Sequence, residues 1–405
     1  MIRLFPALLC ILFLYGCEGL YPPAEKERQM IFCYFSSHDN QLSSASAAAL
    51  ADIKNSELPP TDDDSKVLLI YYHLADSVPV LSRFSKDSEG KCVEEKLMHY
   101  PGSNLVPTLS LSPEQIRQVW KDAQTLYPST RQSLMISSHG SGYLPSGYLA
   151  DPEDCANIRE RDPFRYLVKG SDGSRSVGPD DDVEIEISAL VSALNGTHFD
   201  FILFDCCLMG GIEVAYQLKG LCDYVIASPT EVMAKGIICG ELIQFSFYDE
   251  TSGAVRSVCE SYMNRVRGDS DFRNSGCITA VKTSELPELA AVCSGIYSTR
   301  RDFISKVNRN AVQGYFRSNQ HWFYDLDDFI RQICLNEDGT VDEAYGAFSA
   351  ALGKAVVFKD TTPVFLEISI NRYSGLSTYI PRTTCPTLNN YYKNLEWNKA
   401  TGFIR

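Results

Sequence analysis

Two short segments of the chain each end an apolar run on a side chain able to do chemistry. In the first, Leu134-Met135-Ile136-Ser137-Ser138 leads into His139 and then Gly140-Ser141-Gly142. In the second, Phe201-Ile202-Leu203-Phe204 leads into Asp205-Cys206-Cys207-Leu208-Met209 and the pair Gly210-Gly211. An imidazole beside a thiol has a defined use: it keeps the sulfur ionised for attack on a carbonyl and later hands a proton to the leaving group. Side chains alternate along a strand, so Asp205 and Cys207 share one face and Cys206 takes the other. Gly140 and the helix start after Cys207 are expected to present backbone N–H groups to a developing oxyanion.

Such groups need a scaffold that brings distant strand ends together. The chain supplies strand and helix signals in alternation: strands at about 30–35 and 66–72, a helix at 41–53, and a helix to residue 126 opened by Ser112-Pro113-Glu114-Gln115, a capping box with proline at its first position. The histidine strand follows, then a turn-rich stretch at 150–182, a helix near 188–194, the cysteine strand, a helix near 212–219 and a strand at 224–227. This predicts an α/β protein with a parallel sheet, in which reactive groups gather at the carboxyl edge, above all where strand order reverses. Beyond residue 251 the pattern predicts a helix to 267, a strand at 277–281, helices at 287–298, 326–334 and 341–357, and a strand pair between 364 and 379. There is no internal repeat, heptad pattern or low-complexity tract.

The 405 residues are 44% hydrophobic with a net charge of −14. That suits one large α/β unit and argues against nucleic acid as a partner, with the acidic runs at 62–64 and 180–182 read as solubilising. Met1-Ile2-Arg3 precedes an apolar stretch too short to span a bilayer, the pattern of a secretory signal. It ends in Leu14-Tyr15-Gly16-Cys17, which resembles a bacterial lipobox and implies cleavage before Cys17 and lipid attachment there; an ordinary secretory signal is the alternative. The expected organisation is a signal segment at 1–16, a tether at 17–28, a core at 29–250 and a C-terminal part at 251–405. The fourteen cysteines show neither CxxC nor Cys/His metal spacing, so no metal site is expected. His38, His73, His99, His198 and His321 lack the context of His139 and are expected to be structural or at the surface.

Taken together, His139-Gly140-Ser141-Gly142 and Asp205-Cys206-Cys207-Leu208-Met209 resemble the two central motifs of the clostripain-like cysteine peptidases, relatives of gingipains, legumains and caspases. Weaker echoes extend from Met30-Ile31-Phe32-Cys33-Tyr34 through Tyr224-Val225-Ile226-Ala227-Ser228 to Gly375-Leu376-Ser377-Thr378-Tyr379. The resemblance implies a three-layer α/β/α caspase-like fold with a mostly parallel central sheet and a C-terminal extension. It assigns Cys207 as nucleophile, His139 as its partner, and the N–H groups of Gly140 and Cys207 as the oxyanion hole. It further implies cleavage after Arg or Lys, with Asp205 at the base of the specificity pocket and Glu231, in Ser228-Pro229-Thr230-Glu231, as a second acid. Relatives that cut themselves after the histidine make Arg159, Arg161, Arg165, Lys169 and Arg175 candidate processing sites.

The chemistry needs no cofactor, and calcium, which parts of the family require, has no readable site. Expected partners are protein or peptide substrates with basic residues, and a bacterial membrane reached through lipidated Cys17, on its periplasmic or outer side. Oligomeric state has no sequence signal. Three alternatives stand beside this reading. Asp205 can serve as a helix cap, the chain can be a non-catalytic surface lipoprotein on a peptidase-like scaffold, or Cys206-Cys207 can act as a thiol oxidoreductase, although adjacent strand cysteines pair poorly.

Overall fold

Apolar runs bounded by polar turns become the strands of one sheet in the computed structural model, which describes residues 28–38, 40–102, 110–145, 148, 187–247, 249–316 and 322–405. The signal segment, Cys17, the tether before Arg28, the five candidate processing residues and His321 lie outside the described residues. β1 (Gln29–Ser37), whose every residue is buried, sits mid-sheet. Around it run β2 (Lys66–Leu74), the hairpin β3 (Val80–Lys86) and β4 (Cys92–His99), then β5 (Arg131–Ser137), β6 (Phe199–Asp205), β7 (Cys222–Ala227), β8 (Cys277–Lys282) and, at the far rim, β10 (Val356–Thr361). The order is β10-β8-β7-β6-β5-β1-β2-β3-β4. From β2 to β7 neighbouring strands are parallel, while β3, β4, β8 and β10 add antiparallel flanks.

The chain moves one way from β1 to β2 and the opposite way from β5 through β6 to β7. Right-handed crossovers then put the connecting helices on opposite faces. α1 (Asn40–Asn55) shares one face with α5 (Gly240–Ser246) and α6 (Thr251–Gly268). The other face carries α2 (Pro113–Leu126), α3 (Ile187–Ala193), α4 (Ile212–Gln217), α7 (Leu286–Thr299), α10 (Ala344–Ala355) and α12 (Glu396–Thr401). Ser112 caps α2, its hydroxyl accepting from the Gln115 N–H at 3.2 Å, and Ile116, Val119, Trp120 and Ala123 form its buried stripe.

Several expectations change. The β3–β4 hairpin has no sequence counterpart above, since its polar alternation falls outside the strand–helix pattern; it turns at Gly90, whose φ of 77° suits a residue without a side chain. α5, α8 (Arg301–Lys306), α11 (Pro386–Tyr392) and α12 are helices of six or seven residues, too short for a periodic signal. The helix expected at 341–357 spans only Ala344–Ala355, after which Val356-Val357-Phe358 opens β10. The final strand pair dissolves into two-residue pieces: β11 (Val364–Phe365) pairs with β12 (Ile368–Ser369), and β13 (Ser377–Thr378) with β9 (Tyr324–Asp325).

The C-terminal part is joined to the same sheet through β8 and β10. Its α9 (Leu326–Ile333) is capped by Asp325, which accepts from Asp328 N at 2.8 Å and from Ser374 N at 2.6 Å. The rims are charged: β4 presents Glu94, Glu95 and Lys96, and β10 presents Lys359 and Asp360, the latter gripped by Arg267 at 2.7 and 2.9 Å.

Candidate active site

The register between β5 and β6 sets the site. Leu134 lies opposite Ile202 and Ser137 opposite Asp205, so His139 and Cys207, each two residues beyond, leave the sheet side by side at its carboxyl edge. They stand one strand away from the reversal of order between β1 and β5. His139 is half-buried and Cys207 fully buried. Gly140 brings the two loops into contact: a Cβ there would lie 2.5 Å from the Cys207 carbonyl oxygen and 2.8 Å from the Cys206 Cβ, so only glycine fits. Gly142, at φ 64°, is held as tightly, 2.7 Å from the Leu208 oxygen and 2.7 Å from the Phe323 ring in the same sense.

Past Cys207 the chain turns sharply through Leu208, whose φ of 64° is unusual for a branched side chain. The turn is anchored by Leu208 N–H donating to Thr230 O at 2.9 Å and Gly210 N–H to Ser228 O at 2.8 Å. The loop after β7 therefore lies on the nucleophile segment. Its Val232 N–H donates to the Cys207 sulfur at 3.2 Å, a donor that suits a sulfur anion. Ile237 N–H donates to the Asp205 carboxylate at 2.7 Å, and Arg265 donates to the Ile237 carbonyl at 2.9 Å from α6. Glu231, buried, directly precedes Val232. Cys206 points elsewhere, its sulfur 3.4 Å from the Ile136 carbonyl of β5.

Two expectations are corrected. The helix after the nucleophile starts at Ile212 with Gly211 as its N-cap and no side-chain cap, so Asp205 does not cap it. The N–H groups nearest Cys207 on that side belong to a turn already hydrogen-bonded to 228–230, rather than to a helix start. His38 and His73 also lie at this edge, rings stacked with centroids 4.5 Å apart, and His73 Nδ1 is 2.6 Å from the Ser110 hydroxyl. The eleven cysteines among the described residues are all free thiols. Burial pushes the Cys33, Cys222, Cys259 and Cys293 thiols far up and those of Cys277 and Cys334 to about 11, which makes them poor nucleophiles. Among the described residues no cluster of His, Cys, Asp or Glu fit to hold a metal occurs.

Glu213 is the residue that motif reading passed over. Fully buried in α4, its Oε1 accepts from Tyr392 Oη at 2.6 Å, Thr378 Oγ1 at 2.8 Å and Tyr379 N at 3.0 Å, while Oε2 has no hydrogen-bond partner. Ser377 N–H adds a bond to Gly210 O at 2.9 Å. The available signal was a charged residue inside the apolar run Gly211-Ile212-Glu213-Val214-Ala215. Tyr143 of the histidine loop packs against Tyr379 and Tyr392, with centroids 6.0 and 5.7 Å away, and donates to Trp322 O at 2.6 Å.

The model of the clostripain family matches residues 167–403. Among solved structures, an inactive zymogen C11 protease from Parabacteroides distasonis is 30% identical, with a TM-score of 0.73 over 93% of this chain and 98% of that one. A secreted C11 cysteine protease from Bacteroides thetaiotaomicron, in complex with an irreversible peptide inhibitor, has the same fold at 23% identity, with a TM-score of 0.72 over 92% of this chain and 98% of that one. No curated protein sequence matches the chain.

Burial raises the Glu213 carboxyl above its usual value, against the pull of its donors, so the folded chain holds that proton to higher pH than the unfolded chain. Its contribution to stability is full below the unfolded value of about 4.3 and declines as pH rises through the folded one. Glu213→Gln, neutral throughout, should lose most against wild type near pH 4 and progressively less toward pH 8, measured as the gap between urea midpoints. A gap that widens with pH would show that the ionised form is the one the fold prefers.

Proposed function

Because this chain belongs to the clostripain family of cysteine peptidases, we propose that Cys207 and His139 form its catalytic pair and that it is an exported endopeptidase cutting after Arg or Lys. The observation that carries the pair is the Ser137–Asp205 register, which sends both residues off adjacent parallel strands at one level. The Cys207 thiolate attacks the scissile carbonyl, and His139 protonates the departing amine. Water then releases the acyl group. Backbone N–H groups of Gly140 and Cys207 steady the oxyanion. Asp205, buried two residues before Cys207, is the acid suited to the basic side chain before the cut, with Glu231, next to Val232 in the loop that touches the sulfur, as a second acid.

Self-processing at one of Arg159, Arg161, Arg165, Lys169 or Arg175 extends this reading. Its support is that Cys207 is fully buried in the uncut chain, together with the solved relative described as an inactive zymogen. Attachment to a bacterial membrane through Cys17 rests on the lipobox-like Leu14 to Cys17. The chemistry requires no cofactor.

Labelling with an arginyl or lysyl chloromethyl ketone followed by peptide mapping tests the pair. One adduct at Cys207 is expected, and Cys207→Ala or His139→Ala should abolish both peptide hydrolysis and self-cleavage while Cys206→Ala keeps most of the rate. A dead Cys206→Ala with an active Cys207→Ala would overturn the assignment, and no labelling of the chain once cut within 150–182 would favour a non-catalytic binding module. Removing one partner of a desolvated charge pair costs about 2–5 kcal/mol. Asp205→Asn should therefore lower kcat/KM for arginyl and lysyl peptides by about 30-fold or more, and unchanged selectivity between Arg and Ala peptides would remove Asp205 from the specificity pocket. Cys17→Ser should move the protein from the membrane to the soluble fraction; an unmodified mature N-terminus elsewhere, found by mass spectrometry, would exclude the anchor.

A further inference from the structure

Far from the Cys207 edge in sequence, residues 301, 304–305, 307–310, 381–384, 389 and 403–405 line a cleft of about 700 Å³ whose wall includes Arg301, Arg309, Arg382 and Arg405 and no acidic side chain. The concentration runs against the composition, since 51 acids outnumber 37 bases in the chain. Ion pairs engage Arg83, Arg131, Arg256, Arg267, Arg300 and Arg372, none of them a member of this group.

Three of the four cleft arginines are tied to neutral oxygens instead. Arg301 donates to the carbonyls of Phe403 at 3.0 Å and Gly402 at 2.8 Å, Arg309 to the carbonyl of Pro381, and Arg382 to the Tyr324 hydroxyl at 2.9 Å. The Nε atoms of Arg301, Arg309 and Arg382 are buried without a hydrogen-bond partner. The guanidiniums of Arg301, Arg309 and Arg382 are thus fixed in place and partly stripped of water, with no acidic side chain hydrogen-bonded to them. Burial first, and then Arg382, push Arg309 below its usual value; burial and then Arg405 do the same to Arg301. A guanidinium does not shed its proton at accessible pH, so the repulsion persists until an anion enters.

We propose that this cleft binds a small oxyanion carrying at least two negative charges, as phosphoryl or clustered carboxyl groups. Guanidinium forks match both geometries and hold them through paired charge-assisted hydrogen bonds. The hydroxyls of Thr383 and Thr384 add neutral donors, and Val307 and Phe403 give an apolar side for an organic portion. The volume is that of a small-molecule pocket rather than an extended peptide groove.

Calorimetric titration of the full chain in a Cys207→Ala background, with pyrophosphate, citrate and a poly-glutamate peptide as separate probes, tests the site. Pyrophosphate or citrate should bind saturably at a salt concentration of about 0.15 M, and which of the two binds tighter separates phosphoryl from carboxyl chemistry. Arg309→Gln should weaken binding about 10-fold or more, Arg309→Lys, which keeps the charge but loses the planar fork, should weaken it less than Arg309→Gln does, and pyrophosphate should raise Tm in wild type more than in Arg309→Gln. Should Arg309→Gln fail to fold, Arg405→Gln, at an exposed position, should still weaken binding measurably. Absence of saturable binding by either anion, or affinity unchanged in both glutamine variants, overturns the proposal, and tighter binding of the peptide than of either anion would make the cleft a protein-docking surface instead.

Discussion

Parallel strands hydrogen-bonded in register release their chains at the same edge, and in this molecule the pairing of β5 with β6 imposes that constraint on two loops at once. Once Ser137 and Asp205 are opposite each other, the histidine loop has nowhere to run except across the backbone of Cys207. Gly140 and Gly142 are consequences, since any Cβ at either would overlap a carbonyl oxygen. The left-handed Leu208 is another. Such a conformation costs about 1–2 kcal/mol, roughly what its two anchoring bonds to Thr230 and Ser228 return at about 1 kcal/mol each. The turn is thereby fixed by its surroundings rather than by its own sequence.

The C-terminal part works from behind the same edge. Glu213, Ser377, Thr378, Tyr379 and Tyr392 join α4 to residues that lie far along the chain, while Tyr143 inserts from the histidine loop into that aromatic wall. Both loops of the site thus rest against the segment around 377–392. A carboxyl buried among hydroxyl and amide donors is expensive to desolvate and costly to orphan, which is a means of fixing one arrangement of these parts over near alternatives.

The two central motifs were readable because a reactive side chain between an apolar strand and glycines is a local pattern, and the family resemblance added the three-layer architecture that the comparisons show. What the sequence did not disclose is non-local. Val232 and Ile237 meet Cys207 and Asp205 through backbone N–H groups, and a backbone donor leaves no trace in residue type. Glu213 was visible only as an oddity in an apolar run, because its partners lie more than 160 residues away. The helix-cap alternative for Asp205 failed for the same reason: the loop from β7 captures the turn after Cys207, and the helix starts only at Ile212, seven residues beyond Asp205. The β3–β4 hairpin escaped because half-polar alternation also fits an exposed loop.

The charged rims of the sheet bear on how the molecule behaves in company. An open sheet offers unpaired backbone groups at its outermost strands, and a flat apolar rim would invite another copy to add its own strand. Here β4 puts Glu94, Glu95 and Lys96 at one end, and β10 puts Lys359 and the Arg267-bound Asp360 at the other. Adding a second strand to either rim would crowd these charged side chains and strip them of water, so continuous sheets across molecules are disfavoured. Protection against strand addition thus lies at positions remote from the thiol and the imidazole, leaving the catalytic edge free to be as tightly packed as its geometry demands.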